Sequence, residues 1–238
     1  MAARVDASGH GCQTDGMDAA NLTTVIRQSR QLLAQVSNVG ESGQWDDLYT
    51  VLDYLSFAFS QAYPTLPCKA GCSHCCEEIL FRVSAPEWRA IARHLDATLA
   101  PEARAAVQEQ VRVAYEPHRA QLEALAAFWA GSEFGEQGAP HEGLPVRCAF
   151  LDGEGKCGVY EVRPVVCRAY GSFGVTLAKQ PTMLICQTFG PGFIEELTVL
   201  GSETLTMAPV EPFYQRLKEL APEAEVAPMP LWLLRWAE

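Results

Sequence analysis

Cys68-Lys69-Ala70-Gly71-Cys72-Ser73-His74-Cys75-Cys76 places four of the chain's nine cysteines within nine residues, spaced C-x3-C-x2-C-C. Four more follow at Cys148, Cys157, Cys167 and Cys186. A short loop with glycine between its sulfurs can turn those side chains inward around a common partner. Disulfides between sulfurs held this tightly would be strained, so the natural partner is a metal ion or an inorganic cluster. Buried free cysteines are the plainer alternative, but they are scattered singly through cores rather than grouped. The eight cysteines are therefore the candidate ligands.

On the N-terminal side of this loop the pattern is helical. Leu22, Val25, Ile26, Leu32, Leu33 and Val36 recur at near-helical spacing, with Asp18 as cap and Gly40 as stop. A second helix is predicted over residues 44–62, and Pro64 and Pro67 end it just before Cys68. On the C-terminal side, residues 79–83 read as a short strand. Ser84-Ala85-Pro86-Glu87 then reads as a helix start with a capping box. Helices over 85–99 and 101–129 follow, the second bent near Pro117. Residues 147–160 read as a hairpin around Asp152-Gly153-Glu154-Gly155, residues 165–168 as one helical turn, and 183–186 as extended. Helices are predicted again near 193–200 and 209–220, and the apolar tail at 228–236 should dock on the body. Residues 1–17, with Cys12, read as a disordered terminus, and 18–238 as a single cysteine-cluster domain. The fold class is mainly α: a helical domain with a cysteine-rich irregular metal-binding centre and a small β-hairpin. Segments 68–83 and 145–192 are short of periodic apolar runs, so metal–thiolate bonds are expected to drive their closure.

The net charge of −11 argues against affinity for nucleic acid or for anionic membranes, both of which need basic surface. No apolar run approaches the ~20 residues of a spanning helix, and the N-terminus has no signal-peptide core. These features predict a cytoplasmic protein whose thiols stay reduced.

Structural zinc takes four thiolates in a tetrahedron, and an iron–sulfur cluster is also held by four cysteines. Cys68, Cys72 and Cys75 match the spacing of radical S-adenosylmethionine enzymes, but the long βα repeat of those enzymes does not follow. The pair Cys75-Cys76 favours iron–sulfur over zinc, on the reading that adjacent side chains diverge and one ion rarely takes both. Lys69, Arg147, Lys156, Arg163 and Arg168 each lie within four residues of a cysteine. Cations there would stabilise the negative charge of a thiolate-ligated cluster. His74 can ligate or stand beside the ligands, while His94, His118 and His141 have no partner in the sequence.

The run from Cys68 to Cys76, together with Cys148-Ala-Phe-Leu, Gly155-Lys-Cys157-Gly-Val-Tyr160-Glu-Val-Arg163-Pro164-Val-Val-Cys167-Arg168-Ala-Tyr170, resembles the bacterial YkgJ-like cysteine-cluster proteins. That family is described as zinc- or iron-chelating. The resemblance covers roughly 68–82 and 147–172. Flagellin lysine methylases are similar at the cysteine motif and are associated with an iron–sulfur cluster. Carried over to Cys68, Cys72, Cys75 and Cys76, this implies an iron–sulfur cluster of the 4Fe-4S kind, with zinc as the alternative. It also implies that Tyr160, Arg163, Arg168 and Tyr170 flank the ligands.

The function expected is a metal-binding protein in a carrier or electron-transfer role, with a metal ion or cluster and a protein as candidate partners. A structural-zinc interaction module and a methylase-like protein-modifying enzyme are the alternatives. An apolar or acidic pocket beside the cysteines would favour the enzyme. Cys12 stands apart from the other sulfurs. Cys12→Ser should therefore keep full metal content by elemental analysis, whereas Cys72→Ser should lose most of it. Equal losses would show that the cysteines are wrongly divided.

Overall fold

The computed structural model describes residues 19–238 except 66–67, 69–70, 133–141, 178–179, 187, 193–194 and 196–204. Cys12, Asp18, Lys69, His141 and most of the predicted 193–200 helix lie outside the described residues.

Helix α1 (Ala19–Leu33) ends before Gly40, because residues 34–47 form a turn and loop of their own. Asp47 organises that loop. Its carboxylate is 1% exposed and accepts N–H groups from Gly40 at 2.7 Å, Glu41 at 2.8 Å and Ser42 at 3.0 Å. It also caps α2 (Leu48–Ala62) by accepting from Tyr49 N–H at 3.0 Å. A short carboxylate that satisfies both loop and helix donors suits this position. Leu48, Val51, Leu52, Leu55 and Phe59 then form the buried face of α2 against α1.

Beyond the cysteine loop come α3 (His74–Glu78), β1 (Arg82–Ser84), α4 (Ala85–Thr98) and α5 (Pro101–Tyr115). A 3-10 turn at Glu116–His118 supplies the predicted bend before α6 (Arg119–Ala130). The later elements are α7 (Val165–Ala169), β2 (Phe173–Leu177), β3 (Gln180–Met183), β4 (Ala208–Pro209), α8 (Glu211–Leu220), β5 (Val226–Pro228) and α9 (Met229–Trp236). The hairpin is β2–β3, antiparallel from Gly174↔Met183 to Leu177↔Gln180, with β4 pairing parallel on the other edge of β2. At residues 147–160 there is only a single bridge, Leu151↔Cys157. Asp152 N donates to Lys156 O at 3.0 Å and Gly158 N to Phe150 O at 2.8 Å across that turn.

The tail docks as its apolar sequence implies. β5 pairs antiparallel with β1, and α9 buries Leu231, Leu233 and Leu234. The Trp232 indole donates to Val83 O at 2.9 Å, and its ring stacks on Trp88 with centroids 6.0 Å apart.

Apolar side chains gather in two clusters. One joins α1, α2, α7, β2 and α8; the other joins α4, α5, α6, β5 and α9. Tyr170 and Tyr214 touch both. Val165, Ala169, Phe173 and Val175 enter the first cluster, while Phe150, Val159 and Val166 enter the second. The expectation that 145–192 buries too little to order itself is therefore incorrect. Its apolar residues are aperiodic in sequence, but Phe150, Val159, Val165, Val166, Ala169, Phe173 and Val175 are buried in one or other of the two cores.

Glu87 ties these parts together. It is 1% exposed, and its Oε2 accepts from Ser84 N at 2.8 Å and Ser84 Oγ at 2.7 Å, closing the predicted capping box. Its Oε1 accepts from Val165 N at 2.8 Å and so holds the start of α7. Glu87→Ala should destabilise the protein by about 2–4 kcal/mol in urea unfolding, because it leaves buried N–H donors unpaired. A loss below about 0.5 kcal/mol would contradict this role.

Candidate metal centre

Three segments carry the eight cysteines to the seam between the two cores. The first is the 68–76 loop, ending on α3, which bears Cys75 and Cys76. The second begins where Cys148 N donates to Cys76 O at 2.8 Å, a backbone bond that joins the two cysteine sets directly. Asp152 shapes the turn that follows: its Oδ1 accepts from Glu154 N at 2.8 Å and Lys156 N at 2.9 Å, returning the chain to Cys157. The third is α7 with its sequel, carrying Cys167 and, after β3, Cys186.

Cys68, Cys72, Cys75, Cys167 and Cys186 line a cleft of about 150 Å³. Cys72, Cys75, Cys76, Cys148, Cys157 and Cys167 line an adjoining cavity of about 60 Å³. The two share Cys72, Cys75 and Cys167, so all eight predicted cysteines come to one seam. All eight are free thiols, seven of them half-buried.

Among the described residues, no group of three or more His, Cys, Asp or Glu side chains is placed to hold a single metal ion. The sulfurs stand around the walls of the two cavities instead. The Cys75 and Cys76 sulfurs are 4.0 Å apart, near the ~3.8 Å edge of a tetrahedron built on zinc–sulfur bonds. Adjacent placement on one helical turn does not make these side chains diverge, which corrects the expectation drawn from their sequence.

Gly171 makes room for the first ligand. Its φ is +82°, and a Cβ there would meet Cys68 Sγ at 2.3 Å and Cys68 Cβ at 2.4 Å. The cleft wall is therefore cut to admit a thiol at this point.

Burial dominates the electrostatics of the sulfurs. It pushes the Cys68 thiol up to about 12, helped by Cys72 and Cys186, and the Cys148 thiol up to about 11. Cys75 is raised first by its bond to Cys76 and then by burial. The N–H groups of Phe150 and Val159 work the other way, favouring the thiolates of Cys148 and Cys157. Without metal these groups are neutral thiols near pH 7, so ligation has to release their protons.

Two of the predicted cations face the seam. Arg163 lines both cavities; its guanidinium sits 3.6 Å from the Tyr160 ring centroid and its Nε donates to Tyr160 O at 3.0 Å. Arg168 lies in the cleft wall, 5% exposed. It donates to Arg163 O at 2.7 Å and to Glu161 O, pairs with Asp53, and lies 4.3 Å from the Tyr49 ring. Tyr170 lines the cleft beside Ser56 and Ser172. Arg147 and Lys156, by contrast, are taken up by Glu77 and Glu154 at the surface. His74 lines neither cavity and packs edge-on against Phe189, 4.6 Å between centroids. His94 and His118 lie on the α4 and α5–α6 elements, away from the thiols. Gly171 and the Val165 bond of Glu87 went unread in the sequence, since neither has a local pattern that reveals its distant partner.

A family model described as "Putative zinc- or iron-chelating domain" matches residues 67–187. It spans all eight cysteines of the seam, although this chain has three residues between its first two cysteines where the family's CxxCxxCC label has two. No curated protein and no solved structure matches the chain.

Gly171→Ala should displace Cys68 and strain a positive-φ position by about 1 kcal/mol. Bound metal per chain should fall by at least half while helical circular dichroism persists. Full metal content in that variant would show that Cys68 does not ligate.

Proposed function

We propose that this chain, which belongs to the CxxCxxCC family of zinc- or iron-chelating domains, holds a polynuclear iron–sulfur centre in its thiol-lined seam and serves in electron transfer or cluster carriage. The observation that carries this reading is the spread of the sulfurs. Eight thiols surround two joined cavities, yet no three converge on one point among the described residues. A lone tetrahedral ion draws its ligands to about 2.3 Å, and a cleft of about 150 Å³ is room for several waters. A cluster with several metal atoms meets thiolates on walls set further apart. Cys68 and Cys186 line only the larger space, Cys76, Cys148 and Cys157 only the smaller, and Cys72, Cys75 and Cys167 both. When bound, such a centre would supply one-electron chemistry.

The chain's own residues would set the conditions for it. Arg163 and Arg168 bring positive charge to the walls, where it offsets thiolate charge and favours the reduced state. Half-buried sulfurs keep the centre near the surface, with exposed Tyr160 at its edge, as exchange with a partner requires. A reducing cytoplasm suits this role because it keeps the thiols available. Zinc remains the second reading, favoured by the 4.0 Å spacing of the Cys75 and Cys76 sulfurs.

Protein purified without oxygen should be brown and contain iron and acid-labile sulfide. Arg163→Gln should keep that iron but shift the reduction potential to more negative values. Stoichiometric zinc without sulfide would overturn the iron–sulfur reading and support the zinc module.

A further inference from the structure

Most of the polar groups that line the larger cleft beside the thiols are already bonded within the protein. Ser56 Oγ donates to Arg168 O at 3.2 Å and lies 3.0 Å from Ser172 Oγ, and Ser60 Oγ donates to Phe57 O at 2.7 Å. Arg168 has spent its guanidinium on Arg163 O, Glu161 O and Asp53. Tyr160 is exposed and met by water. The Tyr170 hydroxyl differs from these. Tyr170 is half-buried and lines the same cleft, yet among the described residues its hydroxyl has no hydrogen-bond partner.

The fold fixes where that hydroxyl lies. Tyr170 N donates to Val166 O at 3.2 Å, which closes α7 just after Cys167. The ring meets Phe81 edge-on with centroids 5.9 Å apart, and the side chain touches both apolar clusters. A ring packed on both sides is not free to swing out to water. Its hydroxyl is close enough to feel the charges of Cys75, Cys167 and Cys186, three thiols of the cleft lining. Burial, helped by those sulfurs, pushes the phenol up to about 12, so near pH 7 it keeps its proton and is a donor. A neutral thiol is a weak acceptor, whereas a metal-bound thiolate is charged and a stronger one. A donor in a wall that offers it no partner therefore gains from the acceptor that ligation creates.

We propose that Tyr170 is a positioning residue of the metal centre, its phenol donating a hydrogen bond to a ligand sulfur among Cys75, Cys167 and Cys186. This rests on the reading that the thiol seam holds a metal centre, and it applies to iron–sulfur and to zinc alike. With iron–sulfur, the bond draws charge from the sulfur and stabilises the reduced, more negative state. The reduction potential is raised accordingly.

Tyr170→Phe tests it in the full chain purified without oxygen, because phenylalanine keeps the ring contacts and removes only the hydroxyl. Iron, sulfide and melting temperature should stay close to those of the parent. The reduction potential should shift to more negative values. Metal–sulfur stretching bands in resonance Raman spectra should move on transfer to D2O in the parent and move less in the variant. Tyr54→Phe, whose ring meets Trp45 and lines neither thiol cavity, should leave both readouts unchanged. An unchanged potential in Tyr170→Phe overturns the assignment. So does a shifted potential with the parent's full response to D2O, which would be an effect of packing alone. If the variant loses its iron, or the parent carries zinc without sulfide, cobalt-loaded protein decides the assignment instead, and zinc also ends the iron–sulfur reading. The thiolate-to-cobalt charge-transfer band should then move to longer wavelength in Tyr170→Phe, and an unmoved band overturns the assignment. A parent protein that takes up no metal overturns both.

Discussion

The Glu87 carboxylate accepts hydrogen bonds from Ser84 at the start of α4 and from Val165 at the start of α7, and the positions of the thiols depend on that double acceptance. α4 follows directly on the strand that leaves the cysteine loop, and α7 carries Cys167. Bringing the two cysteine sets together closes more than seventy residues of chain, an entropic cost that grows only slowly with length. Protein groups meet that cost: the Glu87 bond, the Cys148–Cys76 backbone bond, and Phe150, Val159, Val165 and Val166 in the two cores. Burial raises the Glu87 carboxyl above the usual glutamate range, against the pull of its hydrogen bonds. Its contribution to stability is therefore full below that range and declines as pH rises through the elevated value.

The seam between the two cores is where a metal centre can be both enclosed and reachable. Within either core the thiols would be sealed off; on the outer face of either they would be fully hydrated. Between them, seven are half-buried, and the walls carry the two arginines that offset thiolate charge. The largest of the three cavities is separate from this seam, lined by no cysteine and by Glu87 and Tyr214 among others.

Much of this was legible in the sequence because it rests on local pattern. Periodicity located α2, α4, α5 and α6, the Ser84–Glu87 capping box was readable residue by residue, and cysteine spacing singled out the eight thiols that share the seam. What escaped depends on partners far along the chain. β1 pairs with β5 across about 144 positions, which no window of sequence reveals. The hairpin was placed at 147–160 because Asp-Gly-Glu-Gly is turn-like, whereas the paired strands flank residues 178–179. The Cys75–Cys76 geometry was misjudged because side-chain direction on a five-residue helix depends on the loop feeding it. Nothing next to Gly171 in the sequence marks it as the residue that faces Cys68.

The central claim is that the thiols surround a polynuclear iron centre rather than a single ion. X-ray absorption on protein purified without oxygen tests it most directly, since it identifies the absorbing metal and its neighbours together. An iron edge with sulfur ligands and a second shell of iron is the result this account predicts. A zinc edge with four sulfur neighbours and no metal shell would contradict it.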